Sequence, residues 1–150
     1  IQNQINAALN SSSQSSLVYK GNGKFQFPLA SYTRITSPYG YRIHPIYKTN
    51  KLHTGIDYAA PHGTAIFAAD DGKVLTSGWV NGYGYTVAIN HGSGYVTMYA
   101  HGSSLLVSAG QDVKRGQTVA RVGSTGNSTG NHLHFEVRIN GKTVNPAGYL

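Results

Sequence analysis

Six short segments of this chain alternate apolar and polar residues: TAIFAA (64–69), GKVLTSGW (72–79), YTVAIN (85–90), YVTMYAH (95–101), TVARVG (118–123) and HLHFEVRI (132–139). A period of two is the signature of a half-buried strand, and each segment is bounded by Gly, Asn, Asp or Ser. The pieces DDGK, HGSG and NGK between them are turn chemistry, with Gly supplying positive φ. The pattern predicts an all-β domain of hairpins with no interior helix. Its 19 Gly, 11 Tyr and only 11% charged residues suit strands and tight turns better than a helical bundle.

A chain of 150 residues is long enough for one core, so one domain is expected. Residues 1–24 read as an N-terminal linker or the end of an upstream helix: Ile1, Ile5, Ala8 and Leu9 have a weak apolar spacing and a Ser-rich tract follows. From Phe25 to residue 150 the texture is that of strands and turns. Neither an apolar run of about 18 residues nor a signal peptide is present, so no membrane span is expected and the chain reads as soluble or already trimmed.

Asp57, Asp70, Asp71, Asp112 and Glu136 are the whole acidic complement against 12 Lys and Arg, a formal charge of +7. Such a surplus favours encounter with polyanions. The basic residues are scattered without a run of five, and no nucleic-acid partner is expected. GYGY and GSTGNSTG lack the phosphate-loop patterns. With no cysteine, disulfides, Fe–S clusters and thiolate zinc sites are excluded, leaving His and carboxylate as metal ligands.

The seven histidines then carry the chemistry. His44 beside a proline, His62 in APHGT and His91 in HGSG read as solvated or turn-satisfied imidazoles. His53 and Asp57 frame HTGID; extended, four residues span about 13 Å, so a shared ion needs a bend, which Gly55 would allow. The same residues also suit a turn cap beside a solvated imidazole. His132 and His134 project from one strand face about 6.6 Å apart, while Leu133, Phe135 and Val137 project into the core. This arrangement puts two imidazoles around a metal or a reacting water, and it also occurs by chance on exposed strands. His101 ends YVTMYAH, with Tyr99 on the same face by alternation. A hydrolytic zinc takes three ligands of the His/His/carboxylate kind and keeps one position open, and this set could supply that with two imidazoles left over.

Together, RITSPYGYRIHP, HTGIDYAAPHGTAIFAADDGKV, YVTMYAH and VKRGQTVARVGSTGNSTGNHLHFEVRINGKTVNPAGYL resemble the lysostaphin-type, LytM-like or duplicated hybrid motif zinc endopeptidases of bacterial cell walls. The resemblance covers residues 34–150 and makes 25–150 the catalytic domain. It implies antiparallel sheets of short strands forming an open groove with loop walls. It makes His53, Asp57 and His134 the ligands of one Zn2+ per chain, and it places His101 and His132 beside the open position as catalytic groups. It offers Tyr47 as a substrate-binding residue. Glu136 reads either as base or ligand, or as a charge-balancing partner that orients a neighbour. The implied reaction is hydrolysis of peptidoglycan peptide bonds, in stem peptide or cross-bridge, by a monomer that is secreted and wall-associated or carried by a phage. Anionic wall polymers are expected as further partners, which the surplus of positive charge suits. The competing expectation is a wall-binding regulator of the same fold that does no catalysis.

Overall fold

The structure, a computed structural model, describes residues 1–43 and 50–150. His44 and Tyr47 lie outside the described residues. Two short helices, α1 (Gln2–Leu9) and α2 (Ser12–Ser15), come first. Four short strands follow: β1 (Arg34–Ser37), β2 (Gly40–Ile43), β3 (Asn50–His53) and β4 (Ile56–Ala59). Next come β5 (Ala65–Phe67), β6 (Gly72–Val80), β7 (Gly84–Gly92) and β8 (Tyr95–Leu105). The last are β9 (Asp112–Val113), β10 (Thr118–Val122), β11 (His132–Ile139) and β12 (Lys142–Val144), and a 3-10 turn at Pro146–Tyr149.

All six alternating segments are strands, namely β5, β6, β7, β8, β10 and β11. The main sheet is open, ordered β1-β4-β11-β8-β7-β6-β9; β10 pairs with β5 and β8, β12 lies against β11, and β2 and β3 form a separate pair. The pairings among the described residues are antiparallel, as the hairpin pattern predicts. The strands that alternation does not single out run two to four residues, too short to display a period.

Register separates the two faces of the sheet. Tyr99 lies opposite both Phe135 and Val87, and these side chains enter the main core with Leu133 and Val137. Fully burying each such Leu, Phe or Val contributes roughly 1.5–3 kcal/mol. On the other face Met98 lies opposite Glu136 and Ala88, and there Leu75, Ala88, Val96 and Met98 pack against Ile5 of α1. Helix α1 therefore covers part of the sheet face that carries His134 and Glu136. The Ser-rich tract carries α2, where buried Gln14 donates to the Val74 carbonyl and accepts from Asn90.

Of the two readings of His91, solvated or turn-satisfied, the structure excludes the first. His91 is 2% exposed, not solvated: its Nδ1 donates to the Asp71 carbonyl, its Nε2 faces the Thr97 hydroxyl, and Phe25 packs on its ring. Burial holds its pKa below the ordinary histidine value. The segment before β1 folds back over the HGSG turn, which an isolated turn motif does not reveal. His62 is exposed in its turn, as expected.

Candidate metal centre

The donors converge because β4, β11 and β8 are neighbours. His134 lies directly opposite Asp57 on β4 and Ala100 on β8. Core residues Ile56 and Tyr58 flank Asp57, so alternation turns its carboxylate to the face that carries His134. His53 arrives from the separate β2–β3 pair, and the chain breaks between β3 and β4 at Thr54 and Gly55. Here the expected bend at Gly55 has a further cause: a Cβ at this position would overlap the Phe135 carbonyl oxygen and crowd the His134 ring. Only glycine lets the segment lie this close to β11.

His101 reaches the site by a different device. Strict alternation puts it on the same face as Tyr99, as the sequence reading had it, and that face is the core. Instead the register slips between Tyr85 and Val87 opposite Gly102 and Tyr99, a bulge in β8, and His101 adopts φ 62°. The bulge turns its ring onto the other face, with ring centroids 4.6 Å from His132 and 6.0 Å from His134. A left-handed histidine costs about 1–3 kcal/mol and persists only where its surroundings hold it. Here its amide donates to the Tyr83 carbonyl at 2.8 Å and its Nδ1 to the Thr125 carbonyl at 2.7 Å.

Hydrogen bonding orients the four rings. A carbonyl only accepts, so a ring nitrogen facing one carries the proton. His53 Nδ1 donates to Pro38, His101 Nδ1 to Thr125 and His132 Nδ1 to Gly130, which turns each Nε2 toward the cleft. His134 is turned the other way: its Nε2 meets Glu136 at 2.8 Å and its Nδ1 meets Asp57 at 2.8 Å. The remaining Asp57 oxygen lies 3.3 Å from His53 Nε2. One donor atom each from His53, Asp57 and His134 lies within 4.8 Å of the others, so the three could hold one metal ion. Two imidazoles and a carboxylate are the donor set that zinc takes in hydrolytic sites, so the residues fit that ion.

The electrostatics agree with this arrangement. Burial would raise the Asp57 pKa, but hydrogen bonds and charge from His134 and His53 hold it far below the usual carboxylate range. Burial would lower that of His134, yet its two carboxylate partners push it up to about 9. Glu136 is held down at about 2 by His134, Arg138 and Thr54 against its own burial. Burial and the neighbouring rings of His132 and His134 keep the His101 pKa below the ordinary value. In the metal-free protein at neutral pH, His134 therefore carries a proton on the nitrogen a metal needs. Metal binding must displace it, so zinc affinity is expected to weaken about tenfold per unit of falling pH through the neutral range. Competition titrations with a chelator between about pH 6 and 8 check this, and a flat profile would contradict it.

The cleft over these residues has a volume of about 330 Å³. Gly82 and Tyr83 stand on one side, and residues 127–129 contribute a wall from the Gly-rich loop. The two walls interlock: Asn127 donates to the Gly82 carbonyl, and Gly126, at φ 74°, lies so close to Gly84 that any side chain there would collide. GSTGNSTG is thus a wall of the cleft, in line with its lack of a phosphate-loop pattern.

Of the residues singled out from the sequence, His53, Asp57, His101, His132 and His134 come together here. Thr54, Tyr83 and Arg138 join the site without having been singled out. The Arg138 position, two residues beyond Glu136 on the same strand face, was the available signal for one of them.

The model of Peptidase family M23 matches residues 51–146. The chain is 51% identical over 129 residues to the DD-carboxypeptidase/endopeptidase Mpg of Neisseria meningitidis serogroup B, covering 86% of this chain and 30% of that protein. It is 46% identical over 105 residues to the peptidoglycan DD-endopeptidase ShyC of Vibrio cholerae, covering 70% and 24%. A zinc-containing peptidase from Vibrio cholerae superposes with a TM-score of 0.77 at 38% identity, over 81% of this chain and 39% of that one. The chain thus spans about a third or less of the curated relatives described here.

Proposed function

Because this chain belongs to peptidase family M23, we propose that it hydrolyses peptide bonds of bacterial peptidoglycan as a zinc-dependent endopeptidase. The observation that carries the reading is the convergence of His53, Asp57 and His134 beside two further imidazoles whose Nδ1 atoms are anchored on backbone carbonyls. His53, Asp57 and His134 would hold the zinc ion. When bound, zinc polarises the scissile carbonyl and lowers the pKa of water towards ~7.

The remaining chemistry belongs to the chain. His101, whose pKa is depressed, is neutral at neutral pH and can take the attacking water's proton at Nε2. Its Nδ1–H stays anchored on Thr125, so the ring keeps one orientation as its charge changes. His132, held through Nδ1 on Gly130, presents Nε2 beside it, and when the ring is protonated that nitrogen donates to the oxyanion or the leaving amine. The interlocked loops confine the peptide between them. The names of both relatives favour a D,D bond in the cross-link as the one to test first. The +7 charge suits a wall bearing phosphate and carboxylate groups. Such a substrate places the working enzyme outside the cytoplasmic membrane. No helix among the described residues is long and apolar enough to cross a membrane.

The test is digestion of peptidoglycans of several chemotypes by zinc-loaded protein, with mass spectrometry of the released fragments. New amino-terminal peptides are expected from at least one chemotype, abolished by chelation and restored by zinc. Intact peptidoglycan in every case, with zinc near one per chain, would instead indicate a wall-binding regulator.

A further inference from the structure

We propose that Thr54, Tyr83 and Arg138 are positioning residues for the metal, acting through Glu136 to fix which nitrogen of His134 carries the proton and so to present its Nδ1 lone pair to the ion. The inference rests on His134 being a ligand.

His53, His101 and His132 are oriented by backbone carbonyls, which no side-chain substitution removes. His134 alone among these four is held on both ring nitrogens by carboxylates, with no backbone carbonyl to fix it. The Glu136 carboxylate is fully buried, and donors surround it. Its Oε2 accepts from the Thr54 hydroxyl at 2.6 Å, the Tyr83 hydroxyl at 2.9 Å and His134 Nε2 at 2.8 Å. Its Oε1 accepts from Arg138 Nε and its terminal Nη2, both at 2.8 Å.

Five donors thus face a carboxylate that offers about four lone-pair sites, so it is saturated and can only accept. The His134 proton on that side must then sit on Nε2, and Nδ1, which donates to Asp57 in the metal-free protein, is the nitrogen left to give its lone pair to the metal. Loss of both hydroxyls leaves His134 Nε2 as the sole donor to Oε2, and the carboxylate is no longer held in place against the ring. The Thr54 and Tyr83 hydroxyls, although both residues line the cleft, are thereby committed to Glu136.

Arg138 extends the support to the first helix. Its Nη1 donates to Gln2 Oε1 at 2.9 Å, and α1 is held on the sheet by Ile5. A continuous series of contacts runs Gln2, Arg138, Glu136, His134, Asp57. The N-terminal helix is thus one end of the support for the metal ligand.

The test is zinc affinity by chelator competition for Thr54→Val, Tyr83→Phe, their double variant and Arg138→Lys. It is paired with ¹⁵N spectra of the His134 ring in zinc-loaded protein. The two single substitutions remove or replace one hydroxyl each and are expected to fold, which circular dichroism verifies. The double variant is expected to bind zinc ~10- to 100-fold more weakly, with Arg138→Lys shifted in the same direction. The Nε2–H signal, present in the parent protein, is expected to broaden or be lost in the double variant. Zinc affinity within about twofold of the parent in the folded double variant, or an unaltered Nε2–H signal despite weaker binding, would overturn the proposal. His134→Ala separates the two levels: zinc retained there would refute His134 as a ligand, whereas zinc lost there but unchanged in the other variants would refute only the positioning role.

Discussion

His134→Ala is expected to bring zinc content from about one per chain to near zero and to abolish hydrolysis with it. The imidazole supplies one of three donors that lie within 4.8 Å of one another, and no other described residue lies opposite Asp57 on β11 to replace it. A zinc ion contributes several kcal/mol to the polarised transition state, so its loss corresponds to a rate decrease on the order of 10³-fold or more. Folding is expected to survive, because Glu136 keeps Arg138, Thr54 and Tyr83 as partners when the ring is removed. Elemental analysis beside a peptidoglycan digestion assay checks both quantities on one preparation. A fully active or fully metallated variant would refute the assigned ligand set.

His101→Ala is expected to give the opposite combination: near-normal zinc and a turnover lower by roughly 10²- to 10⁴-fold, the usual range for losing a positioned acid or base. His101 lies outside the three-donor cluster, and its ring is tied to Thr125 rather than to a carboxylate. Removing it also relieves neither the bulge nor the left-handed backbone, since both are set by the β7 register and the Tyr83 carbonyl. The loss should therefore appear in kcat with little change in stability. Metal-free His101→Ala protein, or one with undiminished turnover, would contradict this division of labour.

The contrast between these variants shows how far the sequence could be read. The alternation in HLHFEVRI places Leu133, Phe135 and Val137 in the core, and all three are fully buried. It also puts His134 and Glu136 on one face, as observed. It did not reveal that this polar face is buried as well, with Glu136 at 0% exposure. That burial requires α1 and the segment around Thr54 to close over the strand, and neither contact is local.

For His101 the same rule pointed the wrong way. Period two holds only while a strand keeps its register, and the β8 bulge adds a residue that exchanges the faces beyond it. Tyr47, the residue offered for substrate binding, lies outside the described residues.

By itself the sequence determined the strand segments, the turns between them, and the donor types available to a metal in a chain without cysteine. These depend on side-chain chemistry and on a repeat of two residues, both local properties. The tertiary structure decided which imidazoles share a cleft, which nitrogen each one offers, and that a buried carboxylate held by its own strand and two loop residues stands behind one ligand. Those outcomes depend on register, on a bulge and on the close approach at Gly55, where contacts between distant segments override what each segment would do alone.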